Sequence, residues 1–299
     1  MPMQRDSSRL ARLLRLATYA SVVTAAILIA GKLVAWLVTG SVSILASLVD
    51  SMMDVAASLI NLLAVRYSLL PADKEHRFGH GKAESLAGLA QATFIAGSAV
   101  FLILQAFDRL IHPRPLEDLT VGIGIMVFAM VSTLVLLSIQ RHVIRETGST
   151  AIRADSLHYL TDLLTNLSTI VALLLARAGW PGADPLFAMG IALYILYSAW
   201  HIGHDAFQLL MDRELPDEQR DQIRRAALAN ARVRGIHDLR TRRSGQDIFI
   251  QMHMELDDDL SLLEAHAIAD EVDLKIRKMY PEADIIIHKD PYGHEEIPR

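Results

Sequence analysis

The sequence predicts a membrane α-helical bundle of six transmembrane helices followed by a cytoplasmic α+β domain. Three observations carry this. The chain of 299 residues is 52% hydrophobic with a mean hydropathy of +0.29, too apolar for an ordinary soluble domain of its size. Its charge is uneven: residues 1–212 carry 30 charged side chains, whereas residues 213–299 carry 33 in 87. Six apolar stretches are each long enough, at roughly 20 residues, to cross ~30 Å of hydrocarbon. The change of composition falls near Met211–Pro216, so the predicted domains are 1–212 and 213–299.

The expected spans are 16–39, 42–67, 85–110, 119–140, 155–177 and 185–207. The first two are joined only by Thr39-Gly40-Ser41 and form a tight hairpin. The last two are separated by Gly179-Trp180-Pro181-Gly182, a cluster of breakers. Orientation follows from the basic loops. Arg5, Arg9, Arg12, Arg15, Arg66, Lys74, Arg77, Lys82, Arg141, Arg145 and Arg153 fall on one side, and only Arg109, Arg114 and Arg177 on the other. Both termini are therefore expected in the cytoplasm. The basic N-terminal segment lacks a small-residue cleavage site and reads as a lead-in to the first span. Lys32 is expected to snorkel or pair. Asp155 is expected to cap the start of the fifth span. Gly88, Ala92 and Gly97 are suited to close helix packing.

The tail reads helix, strand, strand, helix, strand. Asp217–Asn230 has helical spacing, and Ser244-Gly245 joins the strands Gly235–Arg243 and Asp247–Leu256. In the second strand Ile248, Ile250, Met252 and Met254 face one way, with Phe249, Gln251, His253 and Glu255 facing the other. Ser261–Met279 is an amphipathic helix, and Asp284–Asp290 a last strand stopped by Pro291. This α-β-β-α-β order predicts a small open sheet, ferredoxin- or metallochaperone-like, covered by two helices.

Composition also excludes. There is no cysteine, so disulfides and thiolate metal sites are ruled out. Any metal must be held by imidazole and carboxylate, which suits Zn(II), Fe(II), Cd(II), Co(II) or Mn(II) better than Cu(I). No basic stripe with interleaved aromatics marks a nucleic-acid surface.

Three groups of residues bear on chemistry. Asp50 and Asp54 lie four residues apart inside an apolar span. A carboxylate at that depth costs at least ~2.5–3.5 kcal/mol, and two on one helix face repel unless a cation or protons lie between them. His158 and Asp162 form a matching pair on the fifth span. Together the four offer one nitrogen and three oxygens, a workable set for a divalent ion. The second group is Asp73, His76 and His80 in a glycine-containing loop; a solvated loop is the plain alternative. The third is His237, His253, His266, His288 and Asp290 in the tail, against which stands a scatter of surface histidines. His112, His142, His201, His204 and His294 fall outside these groups and are read as structural or solvated.

The segments Gly40–Ser68, Pro71–Ser85, Arg153–Asp162, Leu215–Gln219, His237–Gly245 and Ile287–Pro291 resemble the cation diffusion facilitator family, its bacterial zinc and ferrous-iron exporters above all. The resemblance runs through nearly the whole chain. It implies a proton-coupled antiporter that works as a homodimer in the bacterial inner membrane. By resemblance, Asp50, Asp54, His158 and Asp162 form the transport site, and Asp73, His76 and His80 a loop site. His237, His253, His266, His288 and Asp290 match a cytoplasmic binuclear zinc cluster at the dimer interface. Lys82 and Asp212 match a charge pair between subunits, and Leu157 a hydrophobic gate. Zinc is then both cargo and a structural or regulatory ligand of the tail, with Fe(II), Cd(II) or Co(II) as further cargo. The loop Arg141–Ser149 lacks the histidine-rich run of many eukaryotic members, and no role carries over to the end after Pro291.

Rival readings are an intramembrane metalloenzyme, a channel and a non-transporting metal sensor. No His-Glu-x-x-His motif occurs, and the acids are all used as ligands, which disfavours an enzyme. A channel would need a continuous pore rather than a four-ligand cage. The intramembrane site disfavours a sensor.

Overall fold

A computed structural model of the chain describes residues 7–39, 42–111, 120–177 and 183–293. The predicted connections at Gly40-Ser41 and Gly179–Gly182 lie outside the described residues, as do Arg5, Arg114, His112 and His294. The chain divides into two compact units, one being Leu10–Phe207 and the other containing Gln208–Arg299.

The first unit is built from α1 (Ser7–Thr39), α2 (Val42–Ser68), α3 (Lys82–Ile111), α4 (Thr120–Thr147), α5 (Thr150–Arg177) and α6 (Ala183–Leu210). Among the described residues, stretches of α1, α3, α4 and α6 are long and apolar enough to cross a membrane. In α5 the charges of Arg153, Asp155 and Asp162 interrupt the apolar run.

Several helices outrun their predicted spans. α1 starts at Ser7 rather than 16 because its basic lead-in keeps an apolar stripe: Leu10, Leu14 and Ala17 are buried at helical spacing. Leu14 and Ala17 share a cluster with Val65, Val143, Ala151 and Ile152, which draws α2, α4 and α5 together. α4 runs to Thr147 and α5 begins at Thr150. Gly148 makes this short turn at φ 68°, and its N–H closes on the Ile144 carbonyl at 2.8 Å. A glycine in the left-handed region is the usual helix stop. Ser149 then caps α5, its Oγ accepting the Ile152 N–H at 3.1 Å.

Asp155 is therefore not a cap. It lies inside α5, fully buried, and accepts hydrogen bonds from three other helices. The prediction failed because a helix start was assigned from hydropathy alone, and the amphipathic first turn of α5 is not apolar.

Small residues bring α3 close to α5 and α6. A Cβ on Gly88 would stand 3.1–3.2 Å from the backbone and Cβ of Thr150, and one on Gly203 would stand 3.5 Å from the Ala92 Cβ. Gly97, expected to do the same, faces open space. Gly88→Val should therefore destabilise the bundle by about 1–3 kcal/mol through overpacking, whereas Gly97→Ala should cost nothing and stabilise the helix by up to about 1 kcal/mol. Thermal unfolding of the two variants in one detergent would show this; equal midpoints would refute it.

The second unit contains α7 (Asp217–Leu228), β1 (Gly235–Ser244), β2 (Asp247–Leu256), α8 (Leu262–Arg277) and β3 (Asp284–Pro291), the predicted order. The sheet order is β1-β2-β3; β1 pairs antiparallel with β2, and β2 parallel with β3. α8 provides the connection that a parallel pair requires. Its start is fixed by a capping box between Ser261 and Glu264. Ile250, Met252, Met254 and Leu256 of β2 share one core with Ile223 and Ala227 of α7 and Ile268, Ala269, Val272 and Ile276 of α8. Strand alternation therefore leaves Gln251, His253 and Glu255 on the other face. Phe249 on that face is covered by the Arg242 guanidinium, 4.5 Å from the ring centroid.

Candidate metal centres

Among the described residues, three clusters of imidazole and carboxylate groups emerge, each with donor atoms within 4.8 Å of one another: Asp54, His158 and Asp162; Asp73, His76 and His80; and His237, His253 and Asp290. The first lies between α2 and α5 and joins Asp54, His158 and Asp162. His158 Nε2 stands 2.9 Å from Asp54 Oδ1, and all three residues are partly buried. The i,i+4 spacing of His158 and Asp162 puts both on one stripe of α5, which faces α2. Asp50 sits on α2 one turn before Asp54, and its side chain lies outside the described residues. Leu157 is buried among Ala92, Ile95, Ala99, Ile195, Ala199 and Ile202. Lys32 pairs within the bundle, its Nζ donating to Ser51 Oγ at 2.6 Å.

The second cluster is the loop between α2 and α3. Asp73 Oδ1 accepts the backbone N–H groups of Glu75 (2.8 Å) and His76 (2.6 Å), a tight turn closed by its own side chain. The His76 N–H above all, and then that of Glu75, hold the Asp73 carboxyl below the usual carboxylate range. His76 Nδ1 lies 3.4 Å from Asp73 Oδ1, and His80 Nε2 lies 3.3 Å from Asp73 Oδ2. Gly79, at φ 77°, turns the chain so that His80 comes back onto Asp73. The His80 ring is buried edge-on against Tyr67, with centroids 4.6 Å apart. Its Nδ1 has no hydrogen-bond partner among the described residues.

The third cluster lies on the open face of the tail sheet. His237, His253 and His288 are in register across β1, β2 and β3, and so form one row. Asp290 is at their centre: its Oδ2 stands 2.7 Å from His253 Nδ1 and 3.4 Å from His237 Nε2, and its Oδ1 is 3.1 Å from His288 Nε2. His266 is not in this group; it lies exposed on α8, 3.7 Å from Asp270. Lys82 and Asp212 belong to different units, and Asp212 pairs within its own with Arg242 at 3.2 Å.

Glu255 was not among the predicted site residues. Its Oε1 lies 3.6 Å from His237 Nε2, and it pairs in register with Asp290. The signal was available in the strand period, since Glu255 follows His253 by two residues on the same face. Gly235 makes the seat: a Cβ there would collide with the Glu255 carboxylate.

Residues 18–211 match the cation efflux transmembrane domain, and residues 215–292 match the cation efflux protein cytoplasmic domain. The chain belongs to the cation efflux family. Within this family, a cation-efflux pump FieF from Klebsiella pneumoniae is 54% identical over 280 residues, covering 94% of this chain and 93% of that pump. The FieF pump of Salmonella choleraesuis is 53% identical over the same shares. The metal-bound C-terminal domain of the CzcD transporter from Thermotoga maritima is 29% identical, covering 26% of this chain and 93% of that domain, with a TM-score of 0.26. The first two clusters thus fall within the span matched by the transmembrane domain, and the third within the span matched by the cytoplasmic domain.

Proposed function

We propose that this chain exports divalent metal ions from the cytoplasm in exchange for protons, by alternating access to a site formed by Asp50, Asp54, His158 and Asp162. The supporting observation is the meeting of Asp54 with His158 and Asp162 between two helices of the apolar unit. Neutral imidazole and carboxylate bind metal, and their protonated forms do not. One site therefore takes metal on one leg of the cycle and protons on the other. The cargo is Zn(II), with Fe(II), Cd(II) and Co(II) compatible with the same nitrogen and oxygen donors. The names of the FieF relatives agree with export of a cation.

The reading includes six spans, both termini in the cytoplasm and a bacterial inner membrane. It includes a homodimer joined through the tail and the Lys82–Asp212 charge pair, with Leu157 as a gate. Asp73, His76 and His80 form a loop site. His237, His253, His288 and Asp290, with His266, bind zinc in the tail and make transport respond to metal load.

Purified protein in proteoliposomes with a pH indicator inside tests the coupling. Metal uptake is expected to drive protons the opposite way, with flux that saturates. Saturation with no proton movement would overturn the exchange, and unsaturable flux would favour a channel.

Gly235→Ala gives a second expectation. The obstacle is the far end of a flexible side chain, so the fold should accept the methyl group and the Glu255 carboxylate should swing away from His237. Tail affinity for Zn(II) should then fall by roughly the 10–100-fold typical of groups supporting a metal site, as Glu255→Gln should also do. Calorimetric titration of both variants against the parent would reveal unchanged affinity if Glu255 has no part in the site.

A further inference from the structure

The bundle contains a buried polar circuit that neither the sequence motifs nor the family match assigns. At its centre is Asp155 on α5, fully buried and three residues before His158. Its Oδ2 accepts hydrogen bonds from Ser21 Oγ of α1 at 2.5 Å and Gln140 Nε2 of α4 at 2.7 Å. Its Oδ1 accepts one from Gln91 Nε2 of α3 at 3.3 Å. Gln140 Nε2 also donates to Ser21 Oγ at 3.0 Å, which ties the two donors together.

One turn further along α5, Tyr159 is buried as well. Its hydroxyl donates to the Ser21 carbonyl at 3.2 Å and meets Ser58 Oγ of α2 at 2.9 Å. A single proton assignment satisfies both contacts: Tyr159 donates to the carbonyl and Ser58 donates to Tyr159. Ser58 lies one turn from Asp54 on α2, and Tyr159 adjoins His158 on α5. The contacts therefore close a loop. Asp155 holds α5 to α1 at Ser21, Tyr159 returns from Ser21 to Ser58 on α2, and Asp54 meets His158.

All three side chains facing Asp155 present donors. As placed, every partner donates to the carboxylate, and an asparagine would be satisfied only if Ser21 or one of the glutamine amides turned round. An isolated polar core would explain burial with satisfied partners. It would not explain why the circuit passes through both helices that carry ligands, within one turn of Asp54, His158 and Asp162.

We infer that Asp155 and Tyr159 are positioning residues for the intramembrane metal site. Acting through Ser21 and Ser58, they fix the rotation and depth of α5 against α2, so that His158 and Asp162 face Asp54. Neither touches the metal. Ligand distances must hold to within about 0.2 Å, which a helix free to rotate does not ensure. This inference rests on the proposed metal site.

The test uses the full-length protein in nanodiscs, with the loop and tail sites disabled by His76→Ala, His80→Ala, His253→Ala and Asp290→Ala. Cd(II) binding is measured by calorimetry in that background. Tyr159→Phe and Asp155→Asn should each raise Kd about tenfold, within the range for groups that orient ligands. The double variant should be no worse than the weaker-binding single one, because both break the same circuit. The unfolding midpoint of Tyr159→Phe should stay near that of the background, which separates positioning from loss of fold. Multiplied effects in the double variant would overturn the inference. So would a wild-type Kd in Tyr159→Phe while Asp54→Ala abolishes binding. If Asp54→Ala itself leaves Cd(II) binding intact, the metal site falls and this inference falls with it.

Discussion

Asp54→Ala is expected to abolish metal transport in proteoliposomes while leaving the protein folded. Asp54 is the acid of α2 whose carboxylate meets the α5 imidazole, at 2.9 Å. Without it His158 and Asp162 remain on one helix with no donor from Asp54 opposite them. Removing a ligand should do more than removing a group that orients one, so affinity should fall by more than about 100-fold. Asp54→Asn keeps the shape and loses the charge, and should fall between the two. Metal and protons compete for the same donors, so the wild-type affinity should also weaken as pH is lowered. Zn(II) uptake by Asp54→Ala at the wild-type rate would remove this site from the transport path.

The second large effect is expected at the other end of the chain. In Asp290→Ala the tail should lose the zinc proposed for it, because one carboxylate lies against His237, His253 and His288. Deleting it leaves three imidazoles with only the more distant Glu255 and Asp238 carboxylates to balance a divalent ion, 3.6 Å from His237 and 4.0 Å from His253. A ligand that binds only the folded state adds about 2.7 kcal/mol at a hundred times its Kd. In an Asp54→Ala background, zinc should therefore raise the unfolding temperature, and adding Asp290→Ala should remove most of that rise. An undiminished rise would place the stabilising metal elsewhere. Asp73 would be a candidate, since the backbone N–H groups that lower its carboxyl pKa keep it charged and ready for a cation.

Much of this was legible in the chain, and the reasons differ from part to part. The tail strands alternate so regularly that core and outer faces of β2 could be assigned residue by residue. Asp54, His158 and Asp162 stood out because a charge in an apolar run is costly and has few bland explanations. The failures share a cause as well. Asp155 was misread because hydropathy marks where lipid begins and not where a helix begins, and α5 starts five residues earlier. Gly97 was assigned a packing role by residue type, but which face of α3 meets a neighbour depends on tertiary packing. His266 lies on a helix while the rest of its predicted group lies on strands, so no single periodicity links it to them. Ser21, Gln91 and Gln140 are single polar residues in apolar spans. Their meeting at Asp155 links positions up to 134 residues apart, which no local pattern encodes.

The histidine row across β1, β2 and β3 has a consequence for how the tail folds. Each strand brings its histidine level with the next only in one pairing. Because side chains alternate, a slip of β2 by a single residue would bury His253 and turn Met252 or Met254 outward. Slipped sheets would thus lack the row altogether. An ion captured by the three imidazoles and Asp290 would select the correctly paired sheet from its mispaired competitors, and would act as a proofreader of strand alignment during refolding.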